Sequence, residues 1–201
     1  MIDIAIQSKK FGAREILRDI SFSMKVSEKI AIIGPSGVGK STLLRIVGEI
    51  DNDFDGAVST VQSKAVVFQE PNLLRWRRVG QNLTLLNKGL SGSQAHEMLE
   101  RVGLAGAADH FPDQLSLGQQ RRVALARAFA GRPELLIMDE PFASLDPDTY
   151  EAMLRLTESM LAQFRPALLL VTHDRTEAKR LADRVIVLSG NPASICEVEA
   201  V

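Results

Sequence analysis

The chain has 201 residues, the length of one domain or of one domain carrying an inserted subdomain. Its 24 basic and 25 acidic side chains nearly cancel, so the broad basic field of a nucleic-acid-binding surface is missing and no DNA or RNA partner is expected. The longest purely apolar runs, such as Ala167 to Val171, fall far short of the roughly 20 residues that cross a bilayer, and the N-terminus has no signal-peptide pattern, so a cytosolic chain is expected. Cys196 is the single cysteine; it rules out an internal disulfide and is expected to be a buried or incidental thiol.

Along the chain, short β-branched or leucine-rich runs alternate with longer segments of helical period, the pattern of a mainly parallel sheet covered by helices. Lys29 to Ile33 is expected as a buried strand running into a glycine-rich loop, and Ser41 to Ile50 as a helix with Leu43, Leu44 and Val47 inward. Ala65 to Phe68 repeats the buried-strand signal. From about Pro71 to Gln114 the pattern changes, its best feature being a helix with Ala95, Met98, Leu99 and Val102 on one face and Gly103 as its stop. This segment is expected as a mostly helical insertion, so a single domain over residues 1–201 would consist of a core from 1–70 and 115–201 and a helical subdomain over about 71–114. The apolar, arginine-bearing run Arg121 to Ala130 follows. Leu135 to Met138, Leu168 to Val171 and Val185 to Leu188 are further buried strands, and most of these strands end at a polar residue or loop, as at the ligand-binding edge of an open α/β sheet.

Three features carry chemistry. Gly34-Pro35-Ser36-Gly37-Val38-Gly39-Lys40-Ser41 matches the phosphate-loop pattern, set between a predicted strand and a predicted helix. Glycines let the backbone wrap phosphate oxygens, Lys40 brings charge to the β and γ phosphates, and the Ser41 hydroxyl suits Mg²⁺. Asp139 closes an apolar strand and Glu140 follows it. Adjacent carboxylates at a strand end point different ways, so one can serve the metal while the other polarises water. Between these lies Leu115-Ser116-Leu117-Gly118-Gln119, whose serine and glycine precede a helical run and are expected as hydroxyl and amide donors of a second anion site. Two copies of the chain could then share one ATP.

With these residues the chain resembles the nucleotide-binding subunit of ATP-binding cassette transporters from Phe11 to about Leu188. Phe11 sits where that family has an aromatic residue stacked on adenine, and Gln69 after Val66-Val67-Phe68 matches the glutamine of the Q-loop. Leu115 to Gln119 matches the signature motif, Ser144-Leu145-Asp146 the D-loop, and His173 the switch histidine. The resemblance implies a phosphate-loop NTPase fold with a small antiparallel β-subdomain, and a head-to-tail dimer in which ATP on one phosphate loop meets Ser116, Gly118 and Gln119 of the other copy. It implies nucleotide contacts from Gly34 to Ser41, Thr42 and Asp146; metal contacts from Ser41, Gln69 and Asp139; and catalytic roles for Lys40, Gln69, Glu140 as general base and His173 as γ-phosphate sensor.

The expected cofactors are ATP and Mg²⁺. The expected partners are transmembrane permease subunits, a second cassette subunit and a substrate-binding protein, which would place the chain on the inner face of the cell membrane. Within the family it is most similar to importers of nitrate, taurine and sulfonates. Leu117 replaces the first glycine of the usual signature pair and adds bulk at a closing interface. The short stretch from Lys40 to Gln69 suggests a trimmed β-subdomain, and the chain ends soon after Leu188, without the extension many importer subunits carry. Trp76, among Arg75, Arg77 and Arg78, suits either a protein contact or packing on the helical insertion. A soluble non-transport cassette ATPase and a phosphate-loop metabolite kinase are the alternative classes.

Overall fold

The computed structural model describes residues 1–87 and 89–201. Its strands are β1 (Ile2–Phe11), β2 (Arg14–Met24), β3 (Lys29–Ile33), β4 (Asp55–Ser59), β5 (Lys64–Val67), β6 (Leu135–Asp139), β7 (Ala167–Val171), β8 (Arg184–Gly190) and β9 (Ala193–Ala200). Its helices are α1 (Lys40–Val47), α2 (Val79–Thr84), α3 (Gly92–Arg101), α4 (Leu117–Ala130), α5 (Pro147–Phe164) and α6 (Arg175–Leu181). The residues divide into two units, 1–66 with 134–140 and 166–201, and 67–133 with 141–165.

The first unit is built on a sheet of order β4-β1-β2-β9-β8-β3-β7-β6-β5. Strands β8, β3, β7 and β6 are parallel neighbours. All five residues of β7 and four of the five in β3 and in β6 are buried, which is why they appear in the sequence as unbroken apolar runs. The register Ile32 to Val171 to Asp139 brings the carboxyl ends of β3, β7 and β6 to one edge. At the other side β1 pairs antiparallel with β2 and β4. There Ile2, Ile4 and Ile6 are buried while Asp3, Ala5 and Gln7 are exposed, the alternation of a strand with one wet face. The isoleucines pack with Ile20, Leu43, Ile137 and Leu169 into one core.

Several element boundaries differ from expectation. Helix α1 stops at Val47, before Ile50, because the Ile50 N–H turns back to the Arg45 carbonyl at 2.8 Å and Glu49 takes a left-handed φ of 56°. Strand β6 has Asp139 as its last member, the acid expected to close this apolar run. Cys196 is exposed on β9, with its thiol 3.3 Å from the Val187 carbonyl, which leaves the incidental rather than the buried of the two alternatives expected for it.

In the second unit, Ala95, Met98 and Leu99 of α3 are buried, as is Val102 at its C-terminal cap, and Gly103 follows at φ 73°. Phe129 of α4 meets Phe164 of α5 at a centroid distance of 5.4 Å. Asn82, fully buried in α2, accepts from the Leu74 N–H at 2.7 Å and donates to the Leu74 and Arg78 carbonyls at 3.2 and 3.0 Å. One amide thereby ties together the ends of the segment carrying Trp76, which is 72% exposed, against packing on the insertion. No helix among the described residues is long and apolar enough to cross a membrane.

Candidate active site

The loop from Gly34 to Gly39 leaves the carboxyl end of β3 and enters α1. Its glycines are required by space and by backbone shape: a Cβ on Gly34 would stand 2.5 Å from the Leu188 carbonyl oxygen, and Gly39 caps α1 at φ 116°. Lys40, 5% exposed, folds its ammonium back over the loop to the Gly34 and Pro35 carbonyls at 2.9 and 3.0 Å, with a Glu140 oxygen at 3.9 Å. Its charge is therefore held at the centre of the loop, ringed by oxygens that a phosphate group could replace.

Ser41 and Asp139 meet directly. The Ser41 hydroxyl donates to Asp139 Oδ1 at 3.1 Å, and partial burial raises the Asp139 pKa above the ordinary carboxylate value despite that bond. Two hard oxygens at a helix start and a strand end suit Mg²⁺, which keeps several waters and takes phosphate oxygens as further ligands. No group of three histidine, cysteine or acidic side chains is placed to hold a metal ion by itself among the described residues.

Glu140 turns the other way. Its φ of 45° places a non-glycine residue in the left-handed region, where strain is commonly stored at functional sites. The turn is fixed by its N–H, which donates to the Val171 carbonyl at 2.9 Å. Its carboxylate spans two partners, Lys40 Nζ on one oxygen and His173 Nδ1 on the other at 3.4 Å. His173 itself is largely exposed, on the turn after β7. Thr172 steadies that turn by accepting from the Asp174 N–H at 2.9 Å and donating to buried Glu177 at 2.5 Å. Lys40, Ser41, Asp139, Glu140 and His173 thus converge at one sheet edge, while Thr42 is half-buried in the first turn of α1.

Beside the loop is a cleft of about 230 Å³ lined by Arg14, Ile16, Ser36, Val38, Gly190 and Asn191 among others. Arg14, Ile16, Gly190 and Asn191 were not candidates from sequence. No local motif marks them, and the sheet order brings them to the loop from β2 and the β8–β9 turn. Phe11, 52% exposed at the end of β1, pairs across the hairpin with Arg14.

The remaining candidates lie in the second unit. Ser116 caps α4: its hydroxyl accepts from the Gln119 N–H at 3.3 Å and its own N–H donates to Gln119 Oε1 at 2.9 Å. Leu117, the first residue of α4, is 49% exposed. Gly118 faces Thr149, whose methyl would be 3.1 Å from an added Cβ. Asp146 caps α5 through the Thr149 N–H at 3.0 Å, and bonding to Thr149 holds its carboxyl below the ordinary range. Gln69 is exposed just beyond β5.

A glycine loop between strand and helix, its buried lysine, and a strand-end acid bonded to the loop hydroxyl define a phosphate-loop nucleoside triphosphatase. A profile of the family described as ABC transporter matches residues 17–143. An aliphatic sulfonates import ATP-binding protein of Pseudomonas syringae is 40% identical over 196 residues, covering 96% of this chain and 84% of that protein. Its counterpart from Frankia alni is 46% identical over 181 residues, 90% of this chain and 74% of that protein. Among solved structures, the ATP-binding cassette MJ0796, in a dimeric post-hydrolysis state bound to ADP and Pi, aligns with a TM-score of 0.81 at 28% identity over 100% of this chain and 98% of that one. The chain belongs to the ABC transporter family and is an ATPase of the cassette type. That membership sets the metabolite-kinase alternative aside.

Proposed function

We propose that this chain is the ATP-hydrolysing subunit of an importer for aliphatic sulfonates or similar small organic anions, working through separate permease subunits on the inner face of the membrane. The observation that carries the reading is the placement of one carboxylate, Glu140, between Lys40 and His173 at the mouth of the phosphate loop. The sulfonate class rests on relatives that cover most of the chain and are named for sulfonate import. A substrate-binding protein belongs to the same proposal.

In this reading the chain acts as one domain, with residues 71–114 inserted in a core from 1–70 and 115–201. The backbone from Gly34 to Thr42 wraps the phosphates, and Lys40 exchanges the Gly34 and Pro35 carbonyls for phosphate oxygens. Ser41, Asp139 and Gln69 would hold Mg²⁺, which when bound neutralises charge on the β and γ phosphates. Glu140 accepts a proton from the attacking water, and His173 orients that carboxylate and senses the γ-phosphate. Phe11 stacks on adenine. Ser116, Gly118 and Gln119 of a second copy approach the γ-phosphate, and Asp146 lines the same closure, so hydrolysis requires the dimer. Support for that step comes from the related cassettes solved as dimers.

The test is to express the chain with a sulfonate permease, purify the complex and reconstitute it in vesicles. Mg²⁺-dependent phosphate release stimulated by an aliphatic sulfonate and its binding protein is the expected result. Absence of any association with a permease would return the chain to the soluble cassette ATPases.

A further inference from the structure

Lys9 is among the most deeply buried side chains of the first unit, 1% exposed, although it sits two residues from the end of β1. Lysine is almost never buried to this degree without partners. Here the partners are specific. Its ammonium donates to Asp51 Oδ1 at 2.9 Å and also to the carbonyl of Asp53, whose carboxylate stands 3.4 Å away. Both aspartates lie in the segment that leaves α1, the helix that begins at the phosphate loop. The fourth neighbour is aromatic: the ammonium lies over the Phe11 ring, 4.7 Å from its centroid.

The strand is shaped to produce this contact. A β-bulge at Lys9/Lys10 shifts the register of β1 against β2 and re-aims the end of the strand. Lys9 is then buried under Phe11, which keeps half its surface in solvent. One ring face is occupied by a cation, and about half of the residue's surface is still open to solvent. A cation at one face draws electron density from the ring, which favours stacking of an electron-rich purine on the other. It also removes ring rotamers before any ligand arrives, lowering the ordering cost of binding.

We propose that Lys9 is a positioning residue for the nucleotide base, its buried ammonium holding and polarising Phe11 from behind while the Asp51 and Asp53 partners tie that platform to the exit of the phosphate-binding helix. The inference rests on the reading of Phe11 as the adenine platform.

A double-mutant cycle tests it, with equilibrium binding of ATP and of inorganic tripolyphosphate, which has the phosphates without the base. Lys9→Met is expected to weaken ATP about three- to tenfold, near the range of a desolvated cation–π contact, and to leave tripolyphosphate unchanged. In the Phe11→Leu background the same substitution should change ATP affinity less than about twofold, because the two residues act as a unit. Lys9→Arg, which keeps a cation over the ring, should restore ATP affinity. Equal weakening of ATP in both backgrounds, equal weakening of tripolyphosphate, or no effect of Lys9→Met beside a clear effect of Phe11→Leu would overturn the role of Lys9 alone. If Phe11→Leu itself leaves ATP affinity intact, the platform reading fails and this inference with it. Should Lys9→Met not fold, Lys9→Met/Asp51→Asn removes both members of the ion pair and is read the same way.

Discussion

Replacing Glu140 with glutamine separates the chemical role of its carboxylate from its structural one. Glutamine keeps the size of the side chain, and the backbone bond to the Val171 carbonyl that fixes the left-handed turn involves no side-chain atom. The carboxylate is 28% exposed and its pairs with Lys40 and His173 are 3.9 and 3.4 Å long. Such partly solvated pairs contribute at most about 1 kcal/mol, so unfolding free energy should change by less than that. Binding should move the other way, because a negative charge beside the γ-phosphate site costs about 1 to 4 kcal/mol at roughly 4 Å, depending on the local dielectric. ATP affinity should therefore hold or rise. The rate should fall by about 10² to 10⁴, or roughly 3 to 5 kcal/mol of barrier, the usual loss on removing a general base. Phosphate release at saturating Mg²⁺-ATP, equilibrium ATP binding and size-exclusion chromatography with ATP measure the three effects, with an ATP-trapped dimer expected in the last. Turnover within about threefold of wild type would refute the assignment, since no other carboxylate is placed against both Lys40 and His173 among the described residues.

Three further outcomes follow from the packing. Asn82→Ala removes a buried amide that holds the Leu74–Arg78 segment and takes a partner from part-buried backbone groups, so it should destabilise the chain by about 1 to 3 kcal/mol in urea unfolding and increase proteolysis beside Trp76. Glu177 has a pKa raised above its ordinary value of 4.5 by burial, against the Thr172 hydrogen bond. The stability linked to this raised pKa is fully present below that ordinary value and is lost as pH rises through the native value. Glu177→Gln should accordingly be more stable than wild type at pH 8, with the gain vanishing towards acid pH in paired unfolding curves. Leu117→Gly removes an exposed side chain at the start of α4; ATP-dependent dimers should become more populated in ultracentrifugation while monomer affinity for ATP is unchanged, and an unaltered dimer population would dismiss the steric role of Leu117.

How far the sequence revealed this architecture depends on whether a signal is local. Strands β3, β6, β7 and β8 are buried on both faces or nearly so and stand out as apolar runs, and the phosphate loop, the Asp139-Glu140 pair and His173 each follow such a run directly. The antiparallel strands are quieter. β1 hides its isoleucines in an alternation, and β9 carries Ser194, Glu197 and Glu199, so its place beside β8 emerges only from pairing. The cleft beside the loop was invisible for the same reason: Arg14 and Asn191 are far apart in the chain and meet through the order of β2, β9, β8 and β3. No local pattern marks Lys9, which stands with Lys10 just before Phe11. Only the bulge and the two aspartates beyond α1 explain its burial.

The central claim is that each active site is completed by a second copy of the chain, and subunit complementation tests it most directly. Lys40→Ala removes the phosphate-loop charge, and Ser116→Arg blocks the signature side without touching that loop. Each variant alone should be inactive. Mixed in equal amounts they should regain about one quarter of wild-type ATPase activity, because half of the random dimers carry one intact site of two. Substantial activity in either variant alone, or none in the mixture despite formation of mixed dimers, would contradict a site shared between two copies.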